Sequence, residues 1–346
     1  MYSLDCNQRE VLFMDEIIIH KLKKFSIIVE NLCQQAQIPL YFRYVQKKTY
    51  TNYQHLFLLV AKEHEQKNYR MFTESLYDSK IPRYIHLKKI PHFTTLQKFS
   101  QRIGAKFLNT LLHCTRHLFR KRGTFVGVDS TGIELDHASS HYCRRIGRDK
   151  PVKGFVNFNA ISDLHNKCIL TVKIRKRKRH DCTDFPLMWN KIKHLDFDYL
   201  VADNGYDSDK NHGLIYEAGK ESLISQKHAH LPIHKTGGRW RKKAKREYEE
   251  GLYTQRNLTE SIFSAFKRKY GSKLRARKFK TQKVELLFKI LAYNIERAMR
   301  AALLGIRIAI AILQSRLKDT IRILSDITNI THFFSFLRKY LFLAWV

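Results

Sequence analysis

Apolar residues recur at helical spacing through the first third of the chain. The runs Asn52–His64 (NYQHLFLLVAKEH) and Phe107–Phe119 (FLNTLLHCTRHLF) place them three and four apart, which predicts amphipathic helices. Between them, Asp78-Ser79-Lys80-Ile81-Pro82 and Ile90-Pro91 are breakers. A helix through Phe99–Ile103 is expected to be capped by Thr94 or Thr95. The pattern then changes. Thr124–Asp129 (TFVGVD), Phe155–Ile161 (FVNFNAI) and Cys168–Ile174 (CILTVKI) are rich in β-branched and aromatic residues and read as strands. Asp198–Asp203 (DYLVAD) and Leu223–Gln226 read as two more. His180-Asp181 is expected to cap an amphipathic helix through Phe185, Leu187, Met188, Trp189 and Ile192. Leu252–Tyr270 and Lys283–Arg300 read as helices. Three hairpin-like strands followed by alternating helices and strands predict an α/β class with a mixed sheet flanked by helices.

Three regions follow from this pattern: an all-α N-terminal region (1–120), an α/β domain (121–303) and an apolar, basic helical tail (304–346). For the tail, a docked helical hairpin is expected, with an oligomer contact as the alternative. In the N-terminal region Lys88, Lys89, Lys98 and Arg102 lie on short helices with tight turns. That suits either a helix-turn-helix DNA reader or a plain helical bundle with solvated lysines.

Charge sharpens the picture. The 346 residues carry 64 Lys+Arg against 31 Asp+Glu, a net charge of +33, which implies a polyanionic partner, above all nucleic acid. The 44% hydrophobic content is enough for a packed core and excludes a basic disordered tail. The six cysteines include no Cys-x-x-Cys, so a zinc finger and a disulfide framework are not expected. The stretch Ala301–Leu313 contains Arg307 and is too short to span a bilayer. No signal peptide is visible, and the expected location is the cytoplasm, associated with the nucleoid, with no membrane partner.

Asp129 and Asp203 each close an apolar strand. On neighbouring strands they would share one crevice, and a bare carboxylate pair there calls for a metal ion. A third acid, Glu260, sits in the helix expected from Leu252. With about 100° per residue, Tyr253, Arg256, Glu260 and Lys267 fall within about 60° of arc. Leu258, Ile262 and Phe266 lie opposite for the core, and Phe263 falls at the stripe's edge. Three acids on a mixed sheet in so basic a chain point to two-metal phosphoryl transfer with hard divalent cations, Arg256 and Lys267 holding phosphates. Basic runs at 173–179, 235–246 and 267–280 fit the same partner. Within the second run lie Arg239, Trp240 and Arg241, candidate DNA contacts. Trp240 suits either stacking on a displaced base or packing against lysine stems.

The motifs Val128-Asp129-Ser130-Thr131 and Ala202-Asp203-Asn204-Gly205-Tyr206, and the Y-x-x-R-x-x-x-E-x-x-x-x-x-x-K spacing of Tyr253, Arg256, Glu260 and Lys267, resemble those of DDE insertion-sequence transposases. The resemblance covers about residues 120–300. It implies an RNase H-like catalytic core. Asp129, Asp203 and Glu260 would bind two Mg²⁺, with Mn²⁺ able to substitute. Arg256 and Lys267 would grip DNA near the cut, and Tyr253 would contact its backbone. The implied reaction is nicking at terminal inverted repeats and strand transfer into target DNA, by a homodimer on double-stranded DNA. The alternative is a catalytically inactive DNA-binding derivative. No aromatic RNA-recognition motif supports a ribonuclease or RNA-binding protein.

Overall fold

The computed structural model of the chain describes residues 21–42, 48–119, 123–135, 154–177 and 180–303. The expected hairpin at 304–346 lies outside these residues. Two compact units are distinguished, Met1–Ala298 and Met299–Val346; of the second, the described residues 299–303 are helical.

The described residues of the first unit's N-terminal part form six α-helices and no strand: α1 (Lys21–Gln35), α2 (Asn52–His64), α3 (Tyr69–Ser75), α4 (Ile81–Tyr84), α5 (Phe93–Arg102) and α6 (Ala105–Cys114), the last followed by a 3₁₀ turn at Thr115–Leu118. Local chemistry sets their starts. The Thr51 hydroxyl accepts the Gln54 N–H while the Gln54 side chain takes the Thr51 N–H, a reciprocal cap on α2. α5 begins earlier than the sequence suggested. His92 occupies the cap position, and the Thr94 hydroxyl pairs with the His92 ring at 2.8 Å.

The sheet comprises β1 (Phe125–Leu135), β2 (Phe155–Asp163), β3 (Cys168–Arg175), β4 (Tyr199–Ala202) and β5 (Glu221–Ile224), in the order 3-2-1-4-5. β1, β2 and β3 are antiparallel, whereas β4 and β5 run parallel to β1. The short β6 (Lys273–Leu274) pairs with the far end of β1. This is the expected mixed α/β sheet, with the strand order of an RNase H-like fold. α7 (Phe185–Trp189), α8 (Asp209–Tyr216), α9 (Arg239–Arg246), α10 (Glu250–Tyr253), α11 (Asn257–Tyr270) and a last helix, α12, from residue 279 complete the described chain. Among the described residues no helix is long and apolar enough to cross a membrane.

Further sequence expectations change. β1 does not end at Asp129. It continues six residues to Leu135 because β2 keeps pairing with it, out to Glu134↔Phe155. Asp129 stands instead where the parallel partner β4 stops, one step beyond Val128↔Ala202. The helix expected over Leu252–Tyr270 is divided by a 3₁₀ turn at Thr254–Arg256. The cap of α7 is Asp184, not His180-Asp181; Asp184 is buried and its carboxylate binds Arg175 (2.7 Å from Nε) and Asn159 (3.2 Å).

Alternation along β1 sorts its side chains. Val126 and Val128 enter a core with Leu200, Ala202, Ile224, Phe185 and Trp189. Gly127 and Asp129 face the other way, toward α11. That helix buries Thr259, Ile262, Phe263, Phe266 and Tyr270, and Phe263 and Phe266 lie 5.4 and 5.9 Å from Phe158 of β2. Phe263, expected at the edge of the stripe, is therefore core, and Leu258 is only half-buried. Gly127 makes this possible: a Cβ there would lie 2.1 Å from Thr259 Cγ2 and 2.8 Å from Leu164 Cδ2.

The outer strand β3 is tied down by one amide. Asn294 of α12 is fully buried; its Oδ1 accepts the Ile169 N–H (2.9 Å), and its Nδ2 donates to the Ile169 carbonyl (2.8 Å) and to Thr115 Oγ1 (2.9 Å). Asn294→Ala leaves these groups without partners, so urea denaturation is expected to show a loss of about 2–3 kcal/mol.

Candidate active site

The site is built around Asp129. Parallel neighbours lie about 4.8 Å apart, so register alone sets Asp203, the residue after Ala202, beside Asp129, the residue after Val128. Asp203 Oδ1 accepts the Gly205 N–H (3.0 Å), which fixes the Asn204–Tyr206 turn. Asp129 Oδ1 accepts the Ser130 N–H at 2.7 Å. Burial pushes the Asp129 carboxyl up to about 6, and the negative fields of Asp203 and Glu260 push the same way; the Ser130 hydrogen bond and the Arg256 charge oppose them. The structure thus brings Asp203 and Glu260, both predicted from sequence, within electrostatic reach of Asp129.

The helical residues converge on the same place. Arg256 Nη1 lies 2.9 Å from Glu260 Oε1, and the Glu260 side chain is 58% exposed. Arg256 Nε is buried with no acceptor among the described residues. Tyr253 is hydrogen-bonded to Ser225 and is close enough to feel Arg256, Asp203 and Asp129; burial is the main cause of its raised phenol pKa. Lys267 Nζ donates to Thr131 Oγ1 at 2.5 Å. Thr131 is two residues beyond Asp129 on the same face of β1, about 7 Å along the strand. Among the described residues, no three acidic, His or Cys side chains are already gathered as a metal site. The donor set nonetheless suits a hard divalent cation. It offers carboxylate oxygens from three separate elements, one of them half-buried and in need of a counter-charge.

The second candidate cluster resolves differently. The Trp240 ring stacks on Tyr216 at 5.7 Å, and a Cβ on Gly213 would meet it at 2.8 Å. Arg241 forks onto Asp207, with contacts of 2.9 and 2.6 Å. Asp207 also takes His212 Nε2 (3.1 Å) and the Lys227 N–H (3.0 Å). Burial alone would raise the Asp207 carboxyl, but His212 and Arg241 hold it well below the ordinary carboxylate range. Asp209 Oδ1 accepts the N–H groups of Trp240 and Arg241 (2.8 and 3.0 Å). Trp240 and Arg241 therefore anchor α9 to the loop after β4. Arg239 is the exposed member of the three, its guanidinium over the Trp240 ring.

Sequence reasoning passed over four residues that shape the site: Gly127, Thr259, Asp207 and Asp209. A glycine inside a strand pattern is a signal of close backbone approach, and Gly127 carried it. The two aspartates gave no signal before the fold brought α9 to them.

The sheet has the order 3-2-1-4-5, with acids on β1, after β4 and on α11. Residues 120–295, just over half of the chain, match the transposase DDE domain, and the chain belongs to that family. No curated protein matches the chain. Among solved structures it is similar to the piggyBac transposase in a synaptic complex with hairpin DNA, at 10% identity and a TM-score of 0.40, over 82% of this chain and 74% of that one.

Two outcomes are expected from this geometry. Gly127→Ala forces α11 off the sheet and costs about 1–3 kcal/mol in urea denaturation. Adding Thr259→Ala removes the clashing methyl and recovers part of that loss, which a double-mutant cycle reads directly. The second outcome concerns pH. The Asp129 carboxyl has a higher pKa in the folded state than its ordinary 3.8, so its contribution to stability is fully present below about 3.8. It is lost as pH rises through about 6. In EDTA, the stability of the wild type relative to Asp129→Asn should fall between pH 4 and pH 7; parallel profiles would show that Asp129 is not perturbed.

Proposed function

We propose that this transposase-family chain cuts duplex DNA at transposon ends and transfers the freed 3′-hydroxyl into target DNA by two-metal phosphoryl transfer. The observation that carries the reading is the convergence of Asp203, Glu260 and Arg256 on the half-buried Asp129. Asp129, Asp203 and Glu260 would hold two Mg²⁺ or Mn²⁺ ions. Such a pair, when bound, activates the attacking oxygen and stabilises the leaving one.

The chain's own residues do the rest. Arg256 has a buried Nε without an acceptor, and a phosphate oxygen supplies one. Its other arm already restrains Glu260. Lys267, held at Thr131, places a positive charge alongside the strand that carries Asp129. Tyr253, fixed by Ser225, presents a phenol to the DNA backbone beside the aspartates. Arg239 adds an exposed cation on α9. In this reading the chain works as a homodimer on DNA, because two ends are cut together. Helix α5, with Lys98 and Arg102, and the bend before it, with Lys88 and Lys89, contribute to DNA recognition.

The test is a nicking and strand-transfer assay on DNA carrying the sequences that flank the reading frame, in Mg²⁺ or in EDTA. Asp129→Ala, Asp203→Ala and Glu260→Ala are each expected to lower cutting by on the order of a thousandfold while duplex binding stays within about threefold. Cutting that survives in any of them removes that residue from the triad. Tight binding by wild type with no cutting in Mg²⁺ or Mn²⁺ identifies an inactive DNA-binding derivative instead.

A further inference from the structure

A second concave surface lies apart from the carboxylates. A solvent-open cleft of about 720 Å³ separates the N-terminal helices from the segment after β6. Gln97 and Gln101 of α5 line one wall, and Arg275, Arg277, Lys278 and Lys280 line the other; none of Asp129, Asp203 and Glu260 borders it. All six of these lining residues are exposed. Arg277, Lys278 and Lys280 form no ion pair with a described residue.

The basic wall is held in place rather than left loose. Glu285 of α12 accepts the N–H of Arg275 (3.0 Å to Oε1) and of Ala276 (2.8 Å to Oε2). Gln282 Nε2 donates to the carbonyls of Ala276 and Arg277 at 3.0 and 3.2 Å. The acids at the floor are already matched, Glu63 by Lys62 at 2.5 Å and Glu285 by Lys289 at 3.8 Å. The charge left at the mouth is therefore positive, with two amide side chains facing it. That combination suits phosphates, which take cations as point charges and forks and amides as neutral donors.

Register gives its distance from the cut. β6 runs parallel to β1, with Leu274 opposite Leu135, six residues beyond Asp129. The basic wall thus begins about 20 Å along the strand direction from Asp129. At 3.4 Å per base pair this is about six base pairs of duplex.

We propose that this cleft is a second DNA-docking surface, gripping the phosphate backbone of duplex DNA about six base pairs from the carboxylate centre. It rests on the reading that the chain acts on DNA, and it assigns end affinity to a surface that takes no part in the chemistry. The preorganised wall lowers the ordering cost of binding, and its three unpaired cations add salt-dependent affinity.

The experiment measures binding of the full chain to flanking-sequence duplex in EDTA across a range of salt. It compares wild type with the triple variant Arg277→Glu, Lys278→Glu, Lys280→Glu. A control variant, Lys21→Glu, Lys23→Glu, Lys24→Glu, makes the same charge change on exposed lysines of α1 outside the cleft. The cleft variant is expected to bind at least about tenfold more weakly, with a log–log salt slope shallower by about 2.7, three contacts at about 0.9 each. The control is expected to keep the wild-type slope. Gln substitutions at the same three positions should give the same loss of slope, and they provide the reading if the Glu variant fails to fold. A wild-type slope in the cleft variants, an equal loss in the control, or a loss confined to single-stranded RNA would overturn the proposal. The cutting assay separates the two readings. Wild type that binds but never cuts removes the catalytic function and leaves this surface standing, whereas cutting with unchanged binding in the cleft variants removes the surface alone.

Discussion

The arrangement depends on one close approach, Thr259 of α11 against Gly127 of β1. No side chain fits between them, since even a Cβ at position 127 would sit inside the van der Waals envelope of the threonine methyl. Two residues along the strand from Gly127 is Asp129, and one residue along the helix from Thr259 is Glu260. The contact therefore sets the separation of two of the three acids, while the β1–β4 register sets the third. Phe158, Phe263 and Phe266 hold the helix down on the sheet, so that apolar burial works against the mutual repulsion of the acids.

Burial first, and then the charges of Asp203 and Glu260, push the Asp129 carboxyl above the ordinary carboxylate range. A structural core has no use for such an arrangement, and three carboxylates in a chain of net charge +33 are conspicuous. The nearby cations are placed with more economy than the total suggests. Arg256 restrains Glu260, Lys267 is tethered to Thr131, and Arg241 is committed to Asp207. Elsewhere, around the cleft beyond β6, positive charge is left unpaired on a wall fixed by Glu285 and Gln282. Basic residues thus divide into those that organise the fold and those that remain for a polyanion.

Much of this was legible in the sequence because strands and helices of the α/β core obey their periods closely. All five main strands were foreseen. What escaped depends on neighbours distant in sequence. The length of β1 depends on β2 continuing as its hairpin partner, which no local pattern in residues 130–135 announces. The turn at Thr254–Arg256 changes the helical phase, so a single wheel from Tyr253 misplaces the buried face by one residue. Trp240 among cations looked equally ready for a base or for lysine stems. Tyr216 and the bare surface of Gly213, both on α8, give it a third environment.

The central claim is that Gly127 and Thr259 seat Glu260 against two aspartates to make one divalent-cation centre. Counting bound Mn²⁺ by electron paramagnetic resonance, with flanking-sequence duplex present, tests it most directly. Two ions per chain in wild type and fewer in Glu260→Gln are expected. An unchanged count in Glu260→Gln would contradict the claim, because the helix acid would then contribute nothing to the centre.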